Sequence, residues 1–89
     1  MIVFNKKEIE GKMTDTELYL IIGRNIKFFR NTAGYTQQEF ADMIGISLSY
    51  LSKIEANKCS KSMSLSVINR IANILRIDIQ KLLENSPTY

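Results

Sequence analysis

Apolar residues along the chain fall into short helical registers separated by glycines or polar tracts. From Leu18 onward, Ile22, Ile26 and Phe29 recur at spacings of three and four. That spacing lines one face of a helix, with Arg24, Lys27 and Asn31 on the other. "TDTE" places Glu17 three residues after Thr14, the pattern in which each side chain satisfies an orphan backbone N–H of the other. The pattern predicts a helix over about 15 to 33, stopped at "NTAGY", where Gly34 can take the left-handed conformation.

Thr36 followed by Glu39 repeats the capping pattern, and Phe40, Ala41 and Ile44 form the inward face of a second helix of roughly two turns. A helix that short must lean on its neighbours. In "GIS", Gly45 relieves the backbone and Ser47 caps a third helix over about 47 to 56, where Leu51 and Ile54 repeat the inward spacing. The stretch "TQQEFADMIGISLSYLSKIEANK" thus holds two short helices at a steep, fixed angle. The polar run "NKCSKSMS", 57 to 64, reads as a loop. Ser64 then caps a fourth helix through Arg76, with Leu65, Ile68, Ile71, Ala72 and Leu75 inward, and Asp78 caps a short fifth, "IQKLLE".

The resulting expectation is an all-α domain of five helices over residues 14 to 85. It is preceded by an arm, 1 to 13, whose "MIVF" reads as a short strand or a hydrophobic arm, and followed by a tail, 86 to 89, that frays. Eighty-nine residues, 45% hydrophobic and 24% charged, suit one small globular domain. The apolar runs are far shorter than the roughly 20 residues of a membrane-spanning helix, and no secretory leader pattern opens the chain, which suggests a cytoplasmic protein. Net charge is +3. Residues 1 to 20 carry three basic and four acidic side chains, leaving nine basic and five acidic in the rest, so the positive charge belongs to the helical body.

One cysteine, Cys59, and no histidine rule out an internal disulfide and the usual Cys/His zinc spacings. The same inventory leaves no Ser/His or Cys/His nucleophile pair, and the carboxylates show no paired pattern. Neither an enzyme nor a metal or other cofactor is expected.

Residues 22 to 84 resemble the Xre/Cro-like family of helix-turn-helix regulators, the phage-repressor type. The likeness rests on "IGRNIKFFR" in helix 1, "GYTQQEFA" entering helix 2, "IGIS" at the turn and "SLSYLSKIE" through helix 3. It implies a compact five-helix DNA-binding domain in which helix 3 enters the major groove of double-stranded DNA and a homodimer reads two half-sites. By resemblance, Gln37 hydrogen-bonds a backbone phosphate at the start of helix 2, and Arg30 and Glu55 form a partly buried ion pair tying helix 1 to the end of helix 3.

Leu48, Ser49, Ser52 and Lys53 lie near the start of helix 3, on the side facing outward, as groups able to meet base edges and phosphates. Ser47 caps that helix, with or without a phosphate contact. Leu48 packs on a thymine methyl or on the helix-turn-helix itself, and Tyr50 reaches a phosphate, covers the core edge, or does both. Lys53, Lys58 and Lys61 cluster in and after helix 3, suited to phosphate contacts. Helix 5, with Ile79, Leu82 and Leu83, or the "MIVF" arm is the expected dimer contact. The chain departs from the family in lacking both the glycine after the glutamate that ends helix 3 and the proline before helix 4, and its loop is about two residues longer. The competing reading is a protein-interaction module on the same fold, an adaptor or antitoxin-like partner, since fold alone does not fix function.

Overall fold

The computed structural model describes residues 13–56 and 63–85. The expectations for the "MIVF" arm, Lys58, Cys59, Lys61 and the last four residues lie outside them. Among the described residues there are five helices and no strand: α1 (Asp15–Ala33), α2 (Gln37–Ile44), α3 (Leu48–Glu55), α4 (Leu65–Leu75) and α5 (Gln80–Leu83).

The helix limits follow from local chemistry. Thr14 accepts the Glu17 backbone N–H at 3.1 Å and opens α1, although only this half of the expected reciprocal pair forms. Gly34, in the left-handed region at φ 85°, returns its N–H to the carbonyls of Arg30 and Asn31 and closes the helix. At α2 both halves form: Glu39 N–H to Thr36 Oγ1 at 3.1 Å, and Thr36 N–H to Glu39 Oε1 at 2.9 Å. Ser47 caps α3 through the Tyr50 N–H, and Ser64 caps α4 through the N–H groups of Ser66 and Val67.

Two expectations near the C-terminus are corrected. Asp78 does not cap α5 with its side chain. The residue before that single turn is Ile79, already in right-handed helical conformation, and Asp78 contributes only its main-chain oxygen, which accepts from Lys81 N–H. Leu65 is not inward but 78% exposed. The buried face of α4 is Val67, Ile68, Ile71 and Ala72, and Leu65 sits about a quarter-turn from its centre. Helix α4 ends at Leu75 and is capped by Arg76, which takes the left-handed conformation at φ 57° without being glycine.

The core is built from Ile22 and Ile26 of α1, Phe40, Ala41 and Ile44 of α2, Leu51 and Ile54 of α3, the buried residues of α4, Met63 and Leu82. Phe40, Ile26, Leu51, Ile71 and Leu82 are wholly excluded from solvent. Helix α1 packs against α3, α4 and α5, while α2 lies between α3 and α4. Ala41, at 0% exposure, has almost no side chain, which lets α2 approach its neighbours closely.

Among the described residues, three polar side chains are buried, those of Asn25, Arg30 and Glu55. Asn25 of α1 is fully buried, and its amide nitrogen donates to the main-chain oxygens of Leu82 (2.8 Å) and Glu84 (2.9 Å). It thereby satisfies carbonyls that the single-turn helix α5 leaves open. Its Oδ1 has no hydrogen-bond partner among the described residues.

Candidate nucleic-acid interface

The corner between α2 and α3 sets the direction of every candidate residue. Gly45 stands at φ 86°, ψ 33°, a conformation in which a Cβ is penalised, and its N–H bonds the Ala41 carbonyl at 2.9 Å. The Ile46 N–H shares that carbonyl at 3.1 Å. A second restraint comes from α4: Arg70 Nη1 donates to the Ile44 main-chain oxygen at 2.6 Å. That oxygen is one of the carbonyls a helix C-terminus leaves without an intrahelical partner. Sequence reading did not single out Arg70, because no local pattern marks a contact between residues 26 positions apart.

From this corner, α3 buries Leu51, Ile54 and Glu55 behind it. Ser47, Leu48, Ser49 and Lys53 are exposed, Leu48 at 39%. Tyr50 is half-buried with its ring against the core. Ser47 already holds the Tyr50 N–H with its hydroxyl oxygen.

Behind the exposed face lies a polar network. Arg30 Nε and Nη2 grip the two Glu55 oxygens at 2.7 and 2.9 Å, the paired geometry in which guanidinium and carboxylate match best. Both side chains are buried, at 8% and 2% exposure. Arg30 Nη1 also donates to the Tyr35 carbonyl at 2.6 Å, so one guanidinium ties α1 to the linker before α2 and to the last turn of α3. Taking both charges out of water offsets much of their attraction, so the pair mainly fixes orientation.

Glu55 Oε1 further accepts from Gln37 Nε2 at 3.0 Å, and Gln37 Oε1 accepts from the Ser52 hydroxyl at 3.2 Å. Gln37 is therefore not a free first-turn side chain but the middle of a chain running Arg30, Glu55, Gln37, Ser52. Ser52, expected on the open face, is half-buried with its hydroxyl hydrogen committed to Gln37. The residue types were visible in the sequence; their pairing depends on how α2 crosses α3. Among the described residues, no cluster of His, Cys, Asp and Glu suits a metal ion, and no helix is long and apolar enough to cross a membrane.

The comparisons with known proteins agree with this geometry. Residues 26–82 match the helix-turn-helix family model. The chain is 40% identical over 62 residues to the uncharacterized HTH-type transcriptional regulator YazB of Bacillus subtilis (strain 168), covering 70% of this chain and 87% of YazB. It is 33% identical over 64 residues to the HTH-type transcriptional regulator SinR of the same organism, covering 72% of this chain but only 57% of SinR. A crystal structure of SinR, the master regulator for biofilm formation, in complex with DNA superimposes with a TM-score of 0.65 at 33% identity over 71% of this chain and 98% of that one. With the capped bihelical corner, the buried arginine-glutamate pair and these matches together, the chain belongs to the helix-turn-helix family, in its Xre/Cro-like branch of transcriptional regulators.

Proposed function

We propose that this chain is a sequence-specific, double-stranded DNA-binding transcriptional regulator. Helix α3 enters the major groove, α2 lies across the backbone, and two copies read half-sites about one helical turn, roughly 34 Å, apart. The observation that carries the reading is the outward presentation of α3, with Leu48 and Ser49 of its first turn and Lys53 of its last exposed while Leu51, Ile54 and Glu55 anchor the helix from behind. Kinship with regulators, one of them solved on DNA, supports it.

The network gives each polar group a direction. Gln37 has two amide hydrogens and spends one on Glu55, leaving the other for a phosphate beside the positive N-terminal end of α2. Ser52, having donated its hydrogen to Gln37, has only acceptor capacity to offer, which suits the exocyclic amino groups of adenine or cytosine and not carbonyl edges. Ser49 and Leu48 are the base-reading candidates, Leu48 toward a thymine methyl. Lys53, with Lys58 and Lys61 further along the chain, supplies phosphate contacts that position the domain, and Ser47 and Tyr50 add to them at the helix start. The domain in this reading is residues 14 to 85, acting in the cytoplasm with neither a cofactor nor a small-molecule substrate.

The test is selection of bound duplexes from a random pool, followed by titration of the selected and a scrambled duplex at several salt concentrations. Enrichment of a motif with pseudo-twofold symmetry, bound with a steep salt slope, is the expected result. Failure to retain any duplex, selected or scrambled, at low salt would overturn the reading.

A further inference from the structure

Glu55 has 2% of its side chain exposed, so a duplex has no access to it. Its influence on the outer face runs through hydrogen-bond polarity. A guanidinium has only donors, and Arg30 sets one on each Glu55 oxygen, at 2.7 and 2.9 Å. Glu55 therefore meets its other neighbours as an acceptor. The Gln37 amide, 3.0 Å from Glu55 Oε1, has to turn its nitrogen inward, because its own oxygen there would set lone pairs against the carboxylate. That leaves Gln37 Oε1 facing Ser52, which donates its one hydroxyl hydrogen to it at 3.2 Å. Each link leaves the next no choice of direction.

The last link reaches the surface. Ser52 stands one helical turn after Leu48 and is half-buried, at the edge of the exposed face of α3. A free serine hydroxyl rotates and meets a donor or an acceptor equally well. Held as it is, Ser52 Oγ has only lone pairs to turn outward. In the major groove those are satisfied by the amino groups of adenine and cytosine and repelled by O6 and N7 of guanine and O4 of thymine. Phosphate oxygens, which only accept, are refused for the same reason.

We propose that Glu55 is a buried positioning residue for base selection: by fixing the Gln37 amide it locks the Ser52 hydroxyl inward, and α3 thereby rejects a carbonyl edge at the base pair facing Ser52. The proposal rests on the DNA-binding reading and adds to it a discrimination that works by exclusion. It gives the Arg30–Glu55 pair a part in specificity, separate from its part in orienting α1 and α3.

The experiment uses the full 89-residue chain, the selected duplex, and a series of duplexes in which amino groups are exchanged for carbonyls one pair at a time. Adenine is replaced by hypoxanthine, with 5-methylcytosine opposite so that no methyl is lost, and cytosine by uracil. The quantity read is the ratio of affinities for the parent and the exchanged duplex. For wild type, at least one position should show a loss of about tenfold or more. Ser52→Ala should remove most of that loss. Gln37→Met leaves the buried pair intact and frees the Ser52 hydroxyl to turn, so the loss should fall to about threefold or less, whatever happens to affinity in general. Glu55→Gln lets the Gln37 amide reverse and should lower the same ratio. With Ser52→Ala already present, Glu55→Gln should leave the ratio unchanged, which a merely loosened fold would not do. Melting curves show which variants are folded at the assay temperature, and Gln37→Met decides alone if Glu55→Gln is not.

A selected motif with no position sensitive to Ser52→Ala would overturn the proposal. So would a wild-type ratio in Gln37→Met, or an effect of Glu55→Gln that persists without the Ser52 hydroxyl. Each of these leaves the DNA reading standing, whereas failure to retain any duplex would sink both.

Discussion

Arg70 of α4 donates to the main-chain oxygen of Ile44 at 2.6 Å, so the last carbonyl of α2 is held by a side chain 26 residues downstream. The same Nη1 lies 3.3 Å from where a Cβ on Gly45 would stand. The bend before α3 is therefore enclosed by α4 as well as closed by its own backbone. Arg70→Met keeps most of the aliphatic stem but removes the donor. It should lower stability by about 1 kcal/mol, a typical net value for one hydrogen bond, as read by urea denaturation. Preference between the selected and scrambled duplexes should narrow, since the pitch of α3 loses a restraint.

Gly34 and Gly45 offer a matched comparison. Both are left-handed, at φ 85° and 86°, but nothing lies within 4 Å of a Cβ on Gly34. Alanine at either site should cost about 1–2 kcal/mol of backbone strain in thermal melts. Only Gly45→Ala should also weaken DNA binding, because only there must Arg70 give way.

The Arg30–Glu55 pair calls for a double-mutant cycle. Arg30→Ala strands a carboxylate at 2% side-chain exposure and should cost on the order of 3 kcal/mol in chemical denaturation. Adding Glu55→Ala should cost far less than the sum of the two single changes, because the second removes the charge the first left unpaired. Strict additivity would mean that the two groups do not interact.

Strong acid should weaken the capped first turn of α2. The Thr36 backbone N–H, and secondarily its side chain, hold the Glu39 carboxylate below its ordinary pKa. A carboxylate depressed in the folded state contributes stability that is complete above its unfolded value and disappears as pH falls through the folded one. The window therefore lies at and below the ordinary carboxylate range, with no effect at neutral pH. Glu39→Gln should flatten that acid limb in melts recorded as a function of pH, and an unchanged limb would remove Glu39 from the account.

On DNA, Lys53→Ala should weaken binding to every duplex and reduce the salt slope by about 1. Ser49→Ala should instead change the ranking of duplexes. A uniform loss at Ser49 would count against base reading, and no loss at Lys53 would remove it from the interface. Both are read by mobility shift across a salt series.

Helix positions were legible in the chain because caps are local. Thr14, Thr36, Ser47 and Ser64 each announce a start within four residues, and Gly34 and Gly45 each mark a stop. The errors fall where locality ends. Leu65 fitted an inward spacing, but the phase of a helix this short is set by Val67 and Ile71 against neighbouring helices. Asp78 looked like a cap, yet α5 is one turn held by contacts from α1, so no capping bond was needed to start it. The Arg30–Glu55 pair was legible only through resemblance. The commitment of Gln37 and Ser52 to each other follows from the crossing of α2 and α3, which no run of residues encodes on its face.

Asn25 decides where this domain can be cut. Its two amide hydrogens end on Leu82 and Glu84. A truncation after Leu83 would remove one acceptor and leave a fully buried donor with nothing to bind. Asn85, one residue further, is the acceptor for Arg24. The shortest fragment that keeps both latches shut therefore ends at Asn85, and a fusion partner joined any earlier would pry α5 from α1.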